Sequence, residues 1–262
     1  MIPKYLYHYT SIDTIKKIVN SQKIRFTRLD LLNDPYEGII DFEDIKEHPN
    51  LNRKLIYCSC WTPEASESVI LWTIYTKMKG VRIKVKSNLF SYNSGVFKCR
   101  EIKDGFVPVS RIKPIPFTDK ELKCEIQEID GPIKITYVSN LKEIYQDAIG
   151  TRIANEGKEN EFLMYDISLY DLGIKKLDYW KFENEWRYRI CPYKEIHGDK
   201  FAIENATYLT PEYIDVPFCE EIKEILVGPD VLDEQIEEIK LFLASKKINI
   251  PVLKSAIKIN PK

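Results

Sequence analysis

Two carboxylates and two guanidiniums crowd into Phe182-Glu183-Asn184-Glu185-Trp186-Arg187-Tyr188-Arg189. Read as a strand over residues 184–190, the alternation puts Glu183, Glu185, Arg187 and Arg189 on one face and Asn184, Trp186, Tyr188 and Ile190 on the other. The aromatic face belongs against a core. A carboxylate held by arginine, with an aromatic such as Trp180 near, suits chemistry that passes through a sugar oxocarbenium ion, because the acid must stay ionised where positive charge develops. The plainer reading is an exposed, self-neutralising stripe whose pairs contribute about 0–1 kcal/mol each.

Two further groups could join such a site. His8 lies in the apolar and aromatic run Tyr5-Leu6-Tyr7-His8-Tyr9-Thr10, whereas His48 and His197 sit beside Pro49 and Gly198 in loop contexts. A lone strand histidine is more often a structural hydrogen-bonder than a catalyst. Trp72 and Tyr75, at i and i+3 of a helix, share a face. They are either core or a flat platform on which a planar ring could stack.

Other devices are absent. There is no GxGxxG, GxxxxGK[ST], GxSxG or HExxH, so the common dinucleotide, phosphate-loop, nucleophile-elbow and zinc patterns are missing. Three dispersed histidines argue against a histidine-based metal centre, and no metal is expected. No cluster of acids with Lys or His marks a metal-dependent nuclease.

The elements that would position these residues follow from local pattern. Residues 5–9 read as a strand. Ser11 caps a helix carrying Ile12, Ile15, Ile18 and Val19 on one stripe. Asn33-Asp34-Pro35 is a turn signal, with Asp34 able to cap backbone N–H groups. Residues 56–61 alternate as a strand, placing Cys58 and Cys60 on one buried face. Ser66 opens a second helix that Gly80 is expected to close, and 81–86 is a period-two strand whose Arg82, Lys84 and Lys86 form a candidate nucleic-acid patch or a solvated face. The spacing predicts a strand at 134–138, helix in pieces over 141–172, a strand at 224–227, a helix at 233–245 and a last strand at 251–259. Strands and helices mix without a βαβ rhythm. The expected fold class is therefore α+β, a mixed or antiparallel split sheet with flanking helices.

At 262 residues, with 44% hydrophobic and 30% charged side chains, the chain can build a real core. It reads as a single domain over 1–262, with an insertion at about 88–132. A net charge of −1 excludes a histone-like wrapper. From Glu204 to Glu238 eleven acids face one base, and residues 239–262 carry six lysines and no acid. These are solvated faces or an acidic surface for a basic partner. No leader pattern, no apolar run near the ~20 residues of a membrane span and no CxxC pair among Cys58, Cys60, Cys99, Cys124, Cys191 and Cys219 point to a reduced cytoplasmic protein without membrane contact.

Tyr7-His8-Tyr9-Thr10-Ser11, Asn33-Asp34-Pro35-Tyr36-Glu37, Trp72-x-x-Tyr75 with Gly80-Val81, Glu183-x-Glu185-Trp186-Arg187 and Ile225-Leu226-Val227-Gly228-Pro229 occur in that order. Over nearly its whole length the chain resembles a large, mostly bacterial domain-of-unknown-function family often found in defence gene neighbourhoods. More distantly, the Tyr-His-x-Thr opening followed by Ile12, Ile15, Ile18 and Ile24 is similar to the first strand and helix of bacterial DNA-modifying ADP-ribosyltransferase toxins. That resemblance implies an ADP-ribosyltransferase-like fold with NAD as substrate. His8 with Thr10 would hold the adenine-side ribose, beside Tyr9, which stands where many such enzymes have Gly. Tyr75 or Trp72 would stack on nicotinamide. Glu185 would stabilise the ribosyl cation, and Glu183 would position the target. Implied partners are a macromolecular acceptor, protein or nucleic acid, and a cognate inhibitor or defence partner. The alternative is a non-catalytic binding or sensor module of phage defence. Asn33–Glu37 has no counterpart in the transferases and reads as a structural turn or a loop edging the pocket.

Overall fold

The computed structural model describes residues 1–41, 51–90, 98–116, 125–157, 161–192 and 211–258. Hydrophobic alternation in the strands builds two sheets. The smaller has the order β1–β4–β14–β15, from β1 (Tyr5–Thr10), β4 (Val81–Lys86), β14 (Glu224–Val227) and β15 (Val252–Lys254). The larger runs β13–β2–β3–β12–β7–β6–β5, from β2 (Lys23–Arg28), β3 (Tyr57–Trp61), β5 (Lys98–Ile102), β6 (Gly105–Pro116), β7 (Glu125–Lys134), β12 (Trp186–Ile190) and β13 (Tyr213–Pro217). All its pairings are antiparallel, whereas β14 and β15 run parallel. The fold is α+β, mostly sheet with a few helices.

Period two sends Leu6, Ile83, Val85, Ile225 and Val227 of the small sheet into the main core. Ile24, Phe26, Tyr57, Trp186, Tyr188 and Ile190 of the large sheet meet them there. Helix α1 (Ile12–Ser21) adds Ile15, Ile18 and Val19, and α4 (Asp233–Ser245) adds Ile236, Ile239 and Leu243. Ser11 caps α1 as its position dictates, accepting from the Thr14 N–H at 3.0 Å. The opposite face of the large sheet carries a second cluster around Leu29, Ile56, Cys58 and Leu172. No helix among the described residues is long and apolar enough to cross a membrane.

Three local expectations change. Helix α2 spans Val69–Thr76 and begins at Ser68, not Ser66; it ends at Lys77, whose left-handed φ of 49° closes the last turn. Gly80 has a different duty: a Cβ there would lie 2.3 Å from the Thr10 carbonyl oxygen, because the chain crosses the end of β1. Gly80→Ala should therefore cost about 1–3 kcal/mol by overpacking. A fall in Tm of several degrees checks this.

The stretch 141–172, expected as helix, holds only α3 (Leu141–Tyr145) and a short 3-10 turn before the hairpin β9 (Ile149–Ala154) and β10 (Phe162–Ile167). Ile149, Thr151 and Ile153 alternate with smaller or polar residues, a β pattern that the apolar count disguised as helical. Asn155 and Gly157 take positive φ in the connection. The described part of 88–132 supplies β5, β6 and β7, which extend the large sheet through the β7–β12 pairing. The remaining strands are short, β8 (Thr136–Val138) running parallel to β11 (Lys175–Leu177). His48, His197, Cys124 and residues 204–210 lie outside the described residues.

Candidate functional site

The two sheets meet at one point and then part. The Tyr7 N–H donates to the Thr62 carbonyl at 2.8 Å and the Thr62 N–H returns a bond of 2.9 Å. Beyond that bridge β1 and β3 diverge, and the imidazole of His8 reaches across, its Nδ1 donating to the Cys60 carbonyl at 2.8 Å. A carbonyl only accepts, so Nδ1 carries the proton and Nε2 keeps its lone pair. Burial pushes the His8 pKa below its ordinary value, against the Cys60 bond that raises it, and the ring is neutral at pH 7.

The gap is a pocket of about 70 Å³ lined by Tyr7, His8, Tyr9, Cys60, Trp61, Thr62, Leu71, Tyr75, Glu183 and Glu185. His8, Tyr9, Tyr75, Glu183 and Glu185, far apart in sequence, are thus brought to one place. Thr10 and Trp72 are not among its walls. Thr10 is buried at the end of β1. Trp72 is fully buried, edge-on to Tyr9 at 4.8 Å, with its indole N–H donated to Glu67 at 3.0 Å. It is a core residue, and the platform reading applies only to the half-exposed Tyr75.

The charged face of 183–189 is not a solvated stripe. Glu183 ends a 3-10 turn (Asp178–Glu183), Asn184 turns with φ 42°, and β12 begins only at Trp186. Glu183, Glu185, Arg187 and Arg189 are all at most 4% exposed. Alternation holds within β12, where Arg187 and Arg189 lie opposite Trp186, Tyr188 and Ile190, but not for Glu183 and Glu185, which the turn before the strand brings to the charged face; that face is covered by chain that alternation does not report. Lys176 on β11 and Glu37 from the 33–37 loop close over it, 1% and 0% exposed.

The resulting network is dense. Lys176 Nζ lies 2.6 Å from Glu183, 3.1 Å from Glu185 and 3.1 Å from Glu37, with the ring of Trp180 at 4.7 Å. Arg187 grips Glu37 and Glu185 through two nitrogens each and donates to the Gly173 carbonyl at 3.1 Å. Burial opposes ionisation of Glu185, but Arg187 and Lys176 overcome it and pull its pKa down to about 2. Glu183 goes the other way: burial and the charge of Glu185 raise it above the ordinary carboxylate range. Tyr75 donates its hydroxyl to Glu183, and burial together with that carboxylate raises its pKa. Two neighbouring acids are thus pushed in opposite directions, the kind of separation from which acid and base roles are made.

This has a measurable consequence. A carboxylate depressed in the folded state stabilises the fold above its unfolded pKa, near 4.3, and loses that stabilisation as pH falls through its folded value, about 2. Chemical denaturation between pH 5 and pH 2 should show a loss on the order of 3 kcal/mol attributable to Glu185, and a flat profile would contradict the buried pairing.

The remaining sequence candidates sort plainly. Arg82, Lys84 and Lys86 do not form a free basic patch: Arg82 is buried over the Tyr7 ring at 4.7 Å, while Lys84 and Lys86 face Glu224 and Glu220 at 3.8 and 3.3 Å. Several acids in the described part of 204–238 are likewise met within the chain, Asp215 by Arg25, Glu238 by Lys16 and Asp233 by Lys254. Sequence reasoning missed Lys176, which sits in a short apolar segment with no periodic signal, and gave Glu37 no chemistry although its motif was noted. Comparison with protein-family models, with curated proteins and with solved structures finds no match.

Proposed function

We propose that the chain is an NAD-dependent ADP-ribosyltransferase-like enzyme acting on a macromolecular acceptor, protein or nucleic acid, in bacterial defence or as a toxin. The observation that carries this reading is that His8, Tyr9, Tyr75, Glu183 and Glu185 wall one pocket between the two sheets. Glu185, ionised and immobilised by Arg187, is placed to offset the charge that develops at the ribose C1′ as nicotinamide leaves. The free lone pair of His8 Nε2 accepts from a ribose hydroxyl. Tyr9 adds a further group. Since Tyr7 bonds to Thr62 with both its N–H and its C=O, alternation along β1 turns the N–H and C=O of Tyr9 toward the same, opened side. An unpaired donor and acceptor on one strand edge match a carboxamide.

The pocket is roughly half the volume of a cavity that holds a benzene ring, too small to enclose nicotinamide with its ribose, so on this reading the dinucleotide lies across the open mouth with the side chains of the pocket beneath it. Departure of nicotinamide breaks the C1′–N bond with both electrons leaving on the pyridine nitrogen. The acceptor nucleophile then forms the new bond to C1′, and its proton passes to the ionised form of Glu183. The test is incorporation of labelled ADP-ribose from NAD into lysate macromolecules. Wild type labels them and Glu185→Gln does not; equal labelling by both sinks the assignment.

One observation favours a second reading. Glu183 and Glu185 are each 4% exposed and already engaged by cations, as in a purely structural network. On that reading the chain is a non-catalytic sensor module whose cleft binds without reaction. Wild type that binds NAD or its fragments without any transfer supports it.

A further inference from the structure

The pentapeptide Asn33-Asp34-Pro35-Tyr36-Glu37 touches the pocket machinery at both ends. Asn33, exposed at the mouth, donates its Nδ2–H to the Tyr75 hydroxyl oxygen at 3.0 Å. Asp34 accepts the Tyr36 N–H at 2.9 Å, a turn that fixes the loop between its ends. Glu37, fully buried, is held by both Lys176 and Arg187. Where they touch, Glu37, Glu183 and Glu185 set three negative charges against the two positive charges of Lys176 and Arg187, and Asp34 and Arg53, buried beside Glu37, add one charge of each sign. A buried excess charge is expensive, so the cluster is relieved by taking up one proton. Glu185 and Glu37 are each held by both cations, which leaves Glu183, held by one cation and the Tyr75 hydroxyl, and Asp34, whose Oδ2 has no hydrogen-bond partner; of these two only Glu183 lines the pocket.

We propose that the 33–37 loop is a positioning element that decides where the proton of the pocket resides: Glu37, by occupying Lys176 and Arg187, leaves Glu183 to carry it, and Asn33, by donating to Tyr75, tunes how readily Glu183 gives it up. This deepens the transferase reading and rests on it for the use of that proton, which is to be exchanged with the acceptor. The groups facing Glu183 are Tyr75 from α2, Lys176 from β11, Tyr137 from β8, Glu185 and Arg187 at β12, and Glu37 from the loop. Only the last changes the count of charges without touching Glu183 or Glu185.

The two ends of the loop act with opposite sign. Removing the Glu37 charge leaves two cations for two carboxylates, so Glu183 loses its reason to hold a proton. Removing Asn33 weakens the Tyr75 hydroxyl as a donor, so ionised Glu183 loses support. The experiment is a carbon-13 titration of glutamate carboxyls in the full chain, with the Glu183 signal assigned by its loss in Glu183→Gln. Glu37→Gln should lower the proton affinity of Glu183 about tenfold or more, and Asn33→Ala should raise it about two- to threefold. Shifts in the same direction, or no shift with Glu37→Gln, overturn the proposal. If Glu37→Gln does not fold, the exposed Asn33→Ala decides alone, a fall or no change overturning it. Labelled-NAD transfer is measured on the same proteins. Inert wild type ends the transferase reading while leaving the opposite shifts standing, whereas active wild type with unshifted variants ends only the loop assignment.

Discussion

Arg187→Met should destabilise the fold by about 3–5 kcal/mol, the usual cost of removing one partner from a buried ion pair. Arg187 is fully buried, and it is the group through which Glu37 and Glu185 are both neutralised. Methionine fills much of the space but leaves three carboxylates with Lys176 as their one cation. Against a typical total of roughly 5–15 kcal/mol this is a large fraction, visible as a markedly lower urea midpoint or as loss of soluble protein. A fall below about 1 kcal/mol would mean that the network is solvated rather than buried. Pairing Arg187→Met with Glu37→Met gives the sharper form of the test. The double variant removes both charges together, so its cost should be well below the sum of the two single ones.

Glu185→Gln should reduce ADP-ribosyl transfer by about 10²–10³-fold or more, the scale seen when a preorganised electrostatic group is removed. The change is nearly isosteric but not innocent. Both Glu185 oxygens accept from Arg187 or Lys176, and the Cys60 thiol bonds to the same carboxylate. The glutamine amide must turn an N–H₂ toward one of those donors, costing on the order of 1–3 kcal/mol. Thermal melts therefore accompany the assay. Glu183→Gln is the control: burial and the charge of Glu185 push Glu183 toward its neutral form, so glutamine there should cost less stability than at position 185. Transfer that survives in folded Glu185→Gln overturns the catalytic assignment.

Much of the framework was legible in the sequence. The strand at Val81–Lys86, the strand at Glu224–Val227 and the helix at Asp233–Ser245 follow from periodicity at the residues the structure gives them, and Ser11 caps α1 through its own hydroxyl. Each depends on neighbours a few residues away. The region 141–172 reads as helix from its sequence, whereas its hairpin forms because Ile149–Ala154 and Phe162–Ile167 pair with each other, which local pattern does not report. Gly80 was noticed for the right reason, a missing side chain, and assigned the wrong use, since the obstacle is the Thr10 carbonyl some seventy positions earlier.

The amino-acid order alone determined that Arg187 and Arg189 share a face and that His8 sits in an aromatic strand, because side-chain direction in a strand is set by the backbone itself. Whether that face meets water or protein was decided only by folding. Lys176 and Glu37 arrive from a distant short strand and a turn to seal it, and sealing raises every charge interaction beneath by excluding the solvent that would screen it. The same closure turned a stripe of ordinary surface charges into two acids pushed in opposite directions and the cations that tell them apart.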